Sequence, residues 1–263
     1  MGPQGKEKAY ETEFRKVFDT IPEQFDKYRP RYSKELFDDL ISYAEIGRGK
    51  SVLELGPGTG QSTEPVLRTG CDYHAIELGE HLFQKMIEKY GHYDNFNIVN
   101  DDFITHDFGE EKYDLIYSAA TIQWIPENIA FSKSFDLLKS GGTLAMMLTK
   151  ADYKTPNQEL FDKIQKVYDE YFKPETEYKH GGFKYENAVN YGFVDFEKRE
   201  FYGERIFTAD EYVAFCGTHC DHIVLPDYCR DNFYNGIREA VLEAGNRIIF
   251  KDTYVLYLTK KPE

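Results

Sequence analysis

A short strand that runs straight into a glycine-rich turn constrains this chain more than any other feature. Ser51-Val52-Leu53-Glu54-Leu55 is an apolar run, and Gly56-Pro57-Gly58-Thr59-Gly60 follows it with no linker. Small residues let the backbone bend sharply and let a ligand approach it closely, while Pro57 stiffens the bend. Gln61 to Arg68 then reads as helix, so the unit is strand, glycine turn, helix. The glycines fall as G-x-G-x-G. A dinucleotide-binding turn calls for G-x-G-x-x-G, and Gln61 and Ser62 occupy the positions where the last glycine is needed, which disfavours a nicotinamide-dependent oxidoreductase.

The same rhythm continues along the chain. Residues 34 to 45 put Leu36, Phe37, Leu40, Ile41 and Ala44 on one helical face behind an N-cap at Ser33. Tyr73 to Glu77, Phe96 to Asp101, Tyr113 to Ser118 and Thr143 to Leu148 read as strands. Glu80 to Tyr90 and Ile129 to Leu138 read as helices, the second broken by Ser140-Gly141-Gly142. Strands that alternate with helices predict an α/β fold with a doubly wound, mostly parallel sheet. Beyond Lys150 the rhythm changes. Thr155-Pro156-Asn157-Gln158 and Thr208-Ala209-Asp210-Glu211 read as helix starts, the first helix running to Phe172, and Asp227 to Ala244 as a further helix. Val194 to Phe207 and Phe250 to Thr259 add two strands, so the expectation is a Rossmann-like seven-stranded sheet with a helical cap insert. The chain divides on this reading into an N-terminal lid segment and cofactor-binding core (1–150), a helical cap or substrate region (151–246) that includes the strand near 194–207, and a final strand (247–263) returning to the core sheet.

Charge and composition narrow the partners. A formal net charge of −14 disfavours a phosphate-backbone partner, because the summed field repels polyanions. No nucleic acid is therefore expected. No apolar run is long enough to span a bilayer and no secretory signal is seen, so neither a membrane partner nor export is expected and the compartment is read as cytoplasmic. Cys216, His219, Cys220, His222 and Cys229 crowd one stretch, yet their spacing matches no zinc pattern, and no metal is expected. Nothing in the pattern fixes an oligomeric state.

The stretch Val52 to Gly60, with an acid two residues before the first glycine, resembles motif I of class I S-adenosylmethionine-dependent methyltransferases. Tyr113 to Ala120 resembles their fourth-strand motif and Leu137 to Gly142 their turn before strand five. Phe25-Asp26-Lys27-Tyr28-Arg29-Pro30-Arg31-Tyr32 and Thr218 to Pro226 are similar to segments of the trans-aconitate methyltransferase-like group. The resemblance implies S-adenosylmethionine as cofactor and S-adenosylhomocysteine as product. It implies that Gly56, Pro57, Gly58 and Gly60 receive the methionyl and ribose part, with Glu54 ordering the turn. Glu77 lies 21 residues after Gly56, near the roughly 20-residue spacing of an acid that accepts from ribose hydroxyls. Asp102 and Phe103 would meet the adenine, with Asp101 as a rival to Asp102, and Leu78, Ser118, Ala119 and Ala120 would complete the cofactor-binding set. Tyr28 and Arg29 would lie near the sulfonium and the cofactor carboxylate.

Many relatives carry a His-Trp pair after strand four, whereas this chain has Gln123-Trp124. A histidine general base is absent there, and Gln123 and Trp124 are expected in the substrate pocket. The implied activity is direct, in-line methyl transfer to an unidentified small molecule, a chemistry in which alignment and a dry pocket count for more than a base. His219 and His222 are the candidates for contact with the acceptor. The alternatives are a noncatalytic S-adenosylmethionine-binding protein and, less favoured, a nicotinamide-dependent oxidoreductase.

Overall fold

A computed structural model describes residues 14–175 and 182–263; residues 1–13 of the expected lid segment and 176–181 of the expected cap lie outside the described residues. Seven strands form one sheet: β1 (Ser51–Leu55), β2 (Asp72–Glu77), β3 (Phe96–Asn100), β4 (Tyr113–Ala119), β5 (Leu138–Asp152), β6 (Val194–Phe207) and β7 (Ile248–Lys260). Their order is β3-β2-β1-β4-β5-β7-β6. The pairs β1–β2, β2–β3, β1–β4 and β4–β5 are all parallel. The chain steps outward from β1 to β3 on one side and resumes with β4 on the other, so the order reverses between β1 and β4. Ligands of such sheets bind outside the strand ends at that reversal, where the turn at residues 56–60 lies.

Two compact units share the chain. One comprises Pro30–Thr149, His180–Phe201 and Tyr254–Glu263, apart from its undescribed residues. In it both faces of the sheet are covered. Val52, Tyr73 and Leu115 join a core with Leu36, Phe37 and Leu40 of the helix Lys34–Tyr43, while Leu53, Ile76 and Ile116 join another with Phe131 and Phe193. This is why the central strands read as nearly continuous apolar runs. Ser33 caps the helix Lys34–Tyr43 as expected, its hydroxyl accepting from Leu36 N at 3.3 Å. Each fully buried leucine on that face contributes about 1.5–3 kcal/mol.

The other unit comprises, of the described residues, 14–29, 150–175 and Tyr202–Thr253. Its core gathers Leu160, Ile164, Phe215, Phe233 and Ile237 from the helices Gln158–Tyr171, Ala209–Cys216 and Asp227–Glu243. Residues 14–29 therefore group with the cap helices, and β5, β6 and β7 give residues to both units, where the sequence pattern divides the chain at 150 and 246. Among the described residues no helix is long and apolar enough to cross a membrane.

Several element bounds differ from expectation for local reasons. The helix after the glycine turn covers only Thr63–Leu67, because the Ser62 hydroxyl is drawn to Glu54 and makes no cap. Asn157, not Thr155, caps Gln158–Tyr171 by accepting from Leu160 N at 3.0 Å; Thr155 N donates to Asp152 Oδ1 at 3.0 Å in a preceding turn. The expected break at Ser140-Gly141-Gly142 is a bulge inside β5, with the register against β4 shifting between Tyr113 and Leu115. The box at Thr208 and Glu211 forms in full. Pro22–Tyr28 is helical, and Tyr185–Tyr191 forms a 3-10 helix that the sequence pattern does not signal.

Candidate functional site

The glycine turn rests on a buried carboxylate. Glu54 has no exposed surface, and the hydroxyls of Ser62, Thr63, Tyr73 and Tyr117 all donate to it, Thr63 at 2.6 Å and Tyr117 at 2.7 Å. Burial raises its pKa, and the four hydrogen bonds pull it back only in part. Glu54 thus fastens the underside of the turn to β1, β2, β4 and the start of the next helix. Above it, Gly56, Gly58 and Gly60 all adopt positive φ. Gly60 N donates to the Pro57 carbonyl at 2.9 Å, and Thr121 Oγ1 donates to the Gly56 carbonyl at 2.9 Å.

Glu77 ends β2 and is 5% exposed. Its Oε2 accepts from Gly58 N and its Oε1 from Gly79 N, each at 2.9 Å, so the acid locks the end of β2 to the turn that follows β1. Leu78 follows, half-buried. After β3, Asp102 is half-buried and Oδ1 accepts from Ile104 N at 2.9 Å, which folds the loop back. Asp101 is exposed and pairs with His106 at 2.8 Å; that hydrogen bond holds its carboxyl below the usual range. Phe103 is 4% exposed and packs on Phe108 under the Lys133 ammonium, 5.2 Å from its ring, so it is chiefly a core side chain here.

The end of β4 faces the same crevice. Ser118 is buried and its hydroxyl accepts from Ile122 N at 2.8 Å. Ala119 is half-buried, and Ala120 adopts a φ of 56°, unusual for a residue with a Cβ. Gln123 and Trp124 lie in the 3-10 turn Ile122–Trp124 and are both half-buried. Gln123 Nε2 donates to the Ala120 carbonyl at 3.0 Å, and Tyr185 OH donates to Gln123 Oε1 at 3.3 Å. Tyr185 is itself stacked on Tyr257 with centroids 4.6 Å apart. Tyr185 and Thr121 brace the site, and sequence reasoning missed both: each acts on a residue more than sixty positions away.

The remaining candidates belong to the other unit. Tyr28 ends the helix Pro22–Tyr28, and Arg29 Nη2 donates to the Thr218 carbonyl at 2.6 Å with its guanidinium over Phe25 and Phe18. His222 is 5% exposed, with Nδ1 2.6 Å from Asp221 Oδ1 and Nε2 2.8 Å from Tyr168 OH. His219 is half-buried, with Nδ1 3.1 Å from the Cys216 carbonyl. Burial pushes the Cys216 thiol up to about 12. Among the described residues no group of three or more His, Cys, Asp or Glu side chains is placed to hold a metal.

Comparisons with known proteins point the same way as the turn. Residues 53–146 match the methyltransferase-domain family. The ribosomal RNA small subunit methyltransferase A of Clostridium acetobutylicum is 34% identical over 101 residues, covering 33% of this chain and 37% of that protein. The malonyl-acyl-carrier-protein O-methyltransferase 1 of Ilyobacter polytropus is 32% identical over 125 residues, 46% of each protein. The chain therefore spans less than half the length of these curated relatives. The phosphoethanolamine N-methyltransferase 2 of Haemonchus contortus, solved with phosphomonomethylethanolamine and S-adenosylhomocysteine, superposes with a TM-score of 0.56 at 14% identity, covering 95% of this chain and 60% of that one. At that identity the likeness is one of fold. The sheet order, the switch-point turn and the family match agree that residues 53–146 of this chain form a class I S-adenosylmethionine-dependent methyltransferase domain.

Proposed function

We propose that the chain transfers the methyl group of S-adenosylmethionine to a small-molecule acceptor and releases S-adenosylhomocysteine. The observation that carries this reading is the Glu77 carboxylate, fixed by Gly58 N and Gly79 N where β2 meets the glycine turn. A carboxylate is an acceptor-only group with about four acceptor sites, and on this reading ribose hydroxyls are among its donors. On this reading Gly56, Pro57, Gly58 and Gly60 take the methionyl and ribose part, while Leu78 and Phe103 flank the adenine. Leu78 is the more exposed of those two. Asp102 accepts from the exocyclic amine, Ser118, Ala119 and Ala120 form the opposite wall, and Glu54 orders the turn from beneath. When bound, S-adenosylmethionine supplies an electrophilic methyl carbon for in-line displacement by an acceptor lone pair. Gln123 and Trp124 are assigned to the acceptor side, where the protein aligns the lone pair and excludes water.

A small molecule is favoured over RNA. The net charge of −14 opposes a polyphosphate, and the alignment to ribosomal RNA methyltransferases covers only about a third of the chain, so it does not extend to a whole acceptor site.

Two measurements test the reading. Trp124 is the only tryptophan, and its emission should change on titration with S-adenosylhomocysteine. Calorimetry should show binding, and Glu77→Ala should weaken it by about 1–3 kcal/mol through loss of a charged hydrogen-bond acceptor. Because Glu77 also holds two backbone N–H groups, the variant should melt lower as well, so its affinity is measured well below that melt. Absence of binding by folded, ligand-free protein would defeat the proposal. Binding without methylation of any acceptor would leave a cofactor-binding protein rather than an enzyme.

A further inference from the structure

The connection from β3 to β4 carries no helix. Parallel strands are usually joined by a helical crossover that covers the sheet, but residues 101–112 form only turns and loop. The effect shows on the sheet face that holds Leu53, Ile76 and Ile116. There the helix Glu127–Leu137 packs Phe131 into the core, while over β2 and β3 a cavity of about 320 Å³ remains between the strands and the stretch 106–113. That volume lies at the lower end of the range for small-molecule sites, about 300–1,000 Å³. All of its lining belongs to the unit of Pro30–Thr149, and none of it to the glycine turn.

Cross-strand partners share a face, so Leu53, His74 and Asn97 form one row of the floor. The same row runs on through Ile116 and Leu144, so polar side chains replace apolar ones toward the sheet edge at β3. Val99, 41% exposed, adds an apolar patch to the floor. Rings follow one another edge to face along the wall: His106 on Phe108 at 4.6 Å between centroids, Phe108 on Tyr113 at 6.4 Å, and Tyr113 on His74 at 5.6 Å.

The hydrogen-bonding atoms left over on this lining are chiefly acceptors. His106 Nδ1 lies 2.8 Å from Asp101 Oδ2, and His74 Nε2 lies 3.0 Å from Asp72 Oδ2. An ionised carboxylate can only accept, so those nitrogens carry the hydrogen, and in the neutral rings His106 Nε2 and His74 Nδ1 hold lone pairs. Asp107 Oδ1 accepts from Gly109 N at 2.9 Å and Glu111 Oε2 from Tyr113 OH, which leaves one carboxylate oxygen open on each. Of these side chains Asn97 alone offers open N–H donors, and no lysine or arginine lines the cavity. Among the described residues no three such side chains are placed to hold a metal ion. The acceptors suit a larger cation that brings several N–H donors of its own.

We infer that this cavity binds a small organic cation of the amidinium or guanidinium class, its apolar body on Leu53, Val99 and Phe108 and its N–H groups toward His74, His106, Asp107 and Glu111. The two carboxylates and the net charge of −14 oppose an anion. The inference does not depend on the methyl-transfer reading.

Benzamidine, benzamide and benzoate share one shape and carry a positive charge, none and a negative charge, so they separate charge from fit. In 1H–15N spectra of the full chain at low salt, benzamidine should saturably shift the amides of Asn97 to Val99 and His106 to Glu111. It should bind about tenfold more tightly than benzamide, and benzoate should not saturate. The double variant Asp107→Asn, Glu111→Gln removes both charges at exposed positions and keeps an acceptor oxygen at each, so benzamidine affinity should fall about fivefold or more. Saturable shifts centred on residues 56–60 and 77–79 would put the probe in the glycine crevice and overturn the assignment. So would the absence of saturable shifts, benzoate binding as tightly as benzamidine, or parent-like affinity in the folded double variant. If that variant does not fold, the charge series on the parent decides by itself.

Discussion

Replacing Glu54 by alanine is expected to lower the stability of the chain by about 4 kcal/mol, a fall in Tm of roughly 10 °C or more for a domain of this size. The expectation follows from what the carboxylate holds. Four hydroxyls, from Ser62, Thr63, Tyr73 and Tyr117, converge on one fully buried group, and each left without an acceptor costs about 1–3 kcal/mol. Partial re-pairing keeps the total below the sum, since Tyr73 OH already lies 3.3 Å from Thr63 Oγ1 and Tyr117 OH 3.4 Å from the Ser62 carbonyl. Because the network lies under residues 56–60, S-adenosylhomocysteine affinity should fall together with Tm. A variant that melts within about 1 °C of the parent would show that the hydroxyls satisfy one another without Glu54.

The isosteric change Glu54→Gln separates charge from shape. With the pKa of Glu54 raised by burial, the folded chain keeps a proton over a range where the unfolded chain has released it. The contribution of the protonated group is then fully present below the unfolded pKa and is lost as pH rises toward the folded one. Glutamine imitates the neutral acid and does not titrate. The stability gap between parent and Glu54→Gln in urea melts should therefore narrow from about pH 4 to about pH 7. A gap that widens over that range would mean that the four hydroxyls stabilise the ionised form.

What the sequence made legible was local. Strand β1, the turn at Gly56 to Gly60 and Glu77 at the end of β2 are each a few residues long, and their chemistry is written in residue type and spacing. The Ser33 cap and the box at Thr208 and Glu211 are equally local. What stayed hidden depends on residues that meet only after folding. Glu54 reads as a motif acid, but its hydrogen bonds come from positions 8, 9, 19 and 63 residues away. The bond from Tyr185 to Gln123 spans 62 positions, with the helix Glu127–Leu137, strand β5 and the helix Gln158–Tyr171 between them, and Tyr185 itself opens a 3-10 helix that no sequence pattern signals. The Asn157 cap was hidden differently: Thr155 and Asn157 are both good caps, and the turn on Asp152 decides between them. The two histidines of the cap motif could be found by residue type, but their distinct hydrogen bonds rest on which atoms Cys216, Asp221 and Tyr168 present.

Gly56→Ala should be the most damaging single change to the turn, costing about 2–4 kcal/mol of stability together with S-adenosylhomocysteine binding. Two penalties add. Gly56 has a φ of 59°, and an L-residue with a Cβ pays roughly 1–2 kcal/mol for that region. A Cβ at this position would also lie 2.3 Å from Thr121 Cγ2 and 2.9 Å from Thr121 Oγ1, well inside contact distance. Thr121 cannot simply rotate away at no cost, because its hydroxyl donates to the Gly56 carbonyl at 2.9 Å and the residue opens the turn that carries Gln123 and Trp124. The clash would therefore press on both sides of the crevice at once, displacing the 56–60 turn from the end of β4. Adding Thr121→Ala removes the methyl and the hydroxyl, so the double variant should recover the steric part and retain the φ penalty. Measured against Thr121→Ala alone, Gly56→Ala should then cost only about 1–2 kcal/mol. Equal costs in the two backgrounds would show that backbone conformation, and not the approach of Thr121, is what reserves position 56 for glycine.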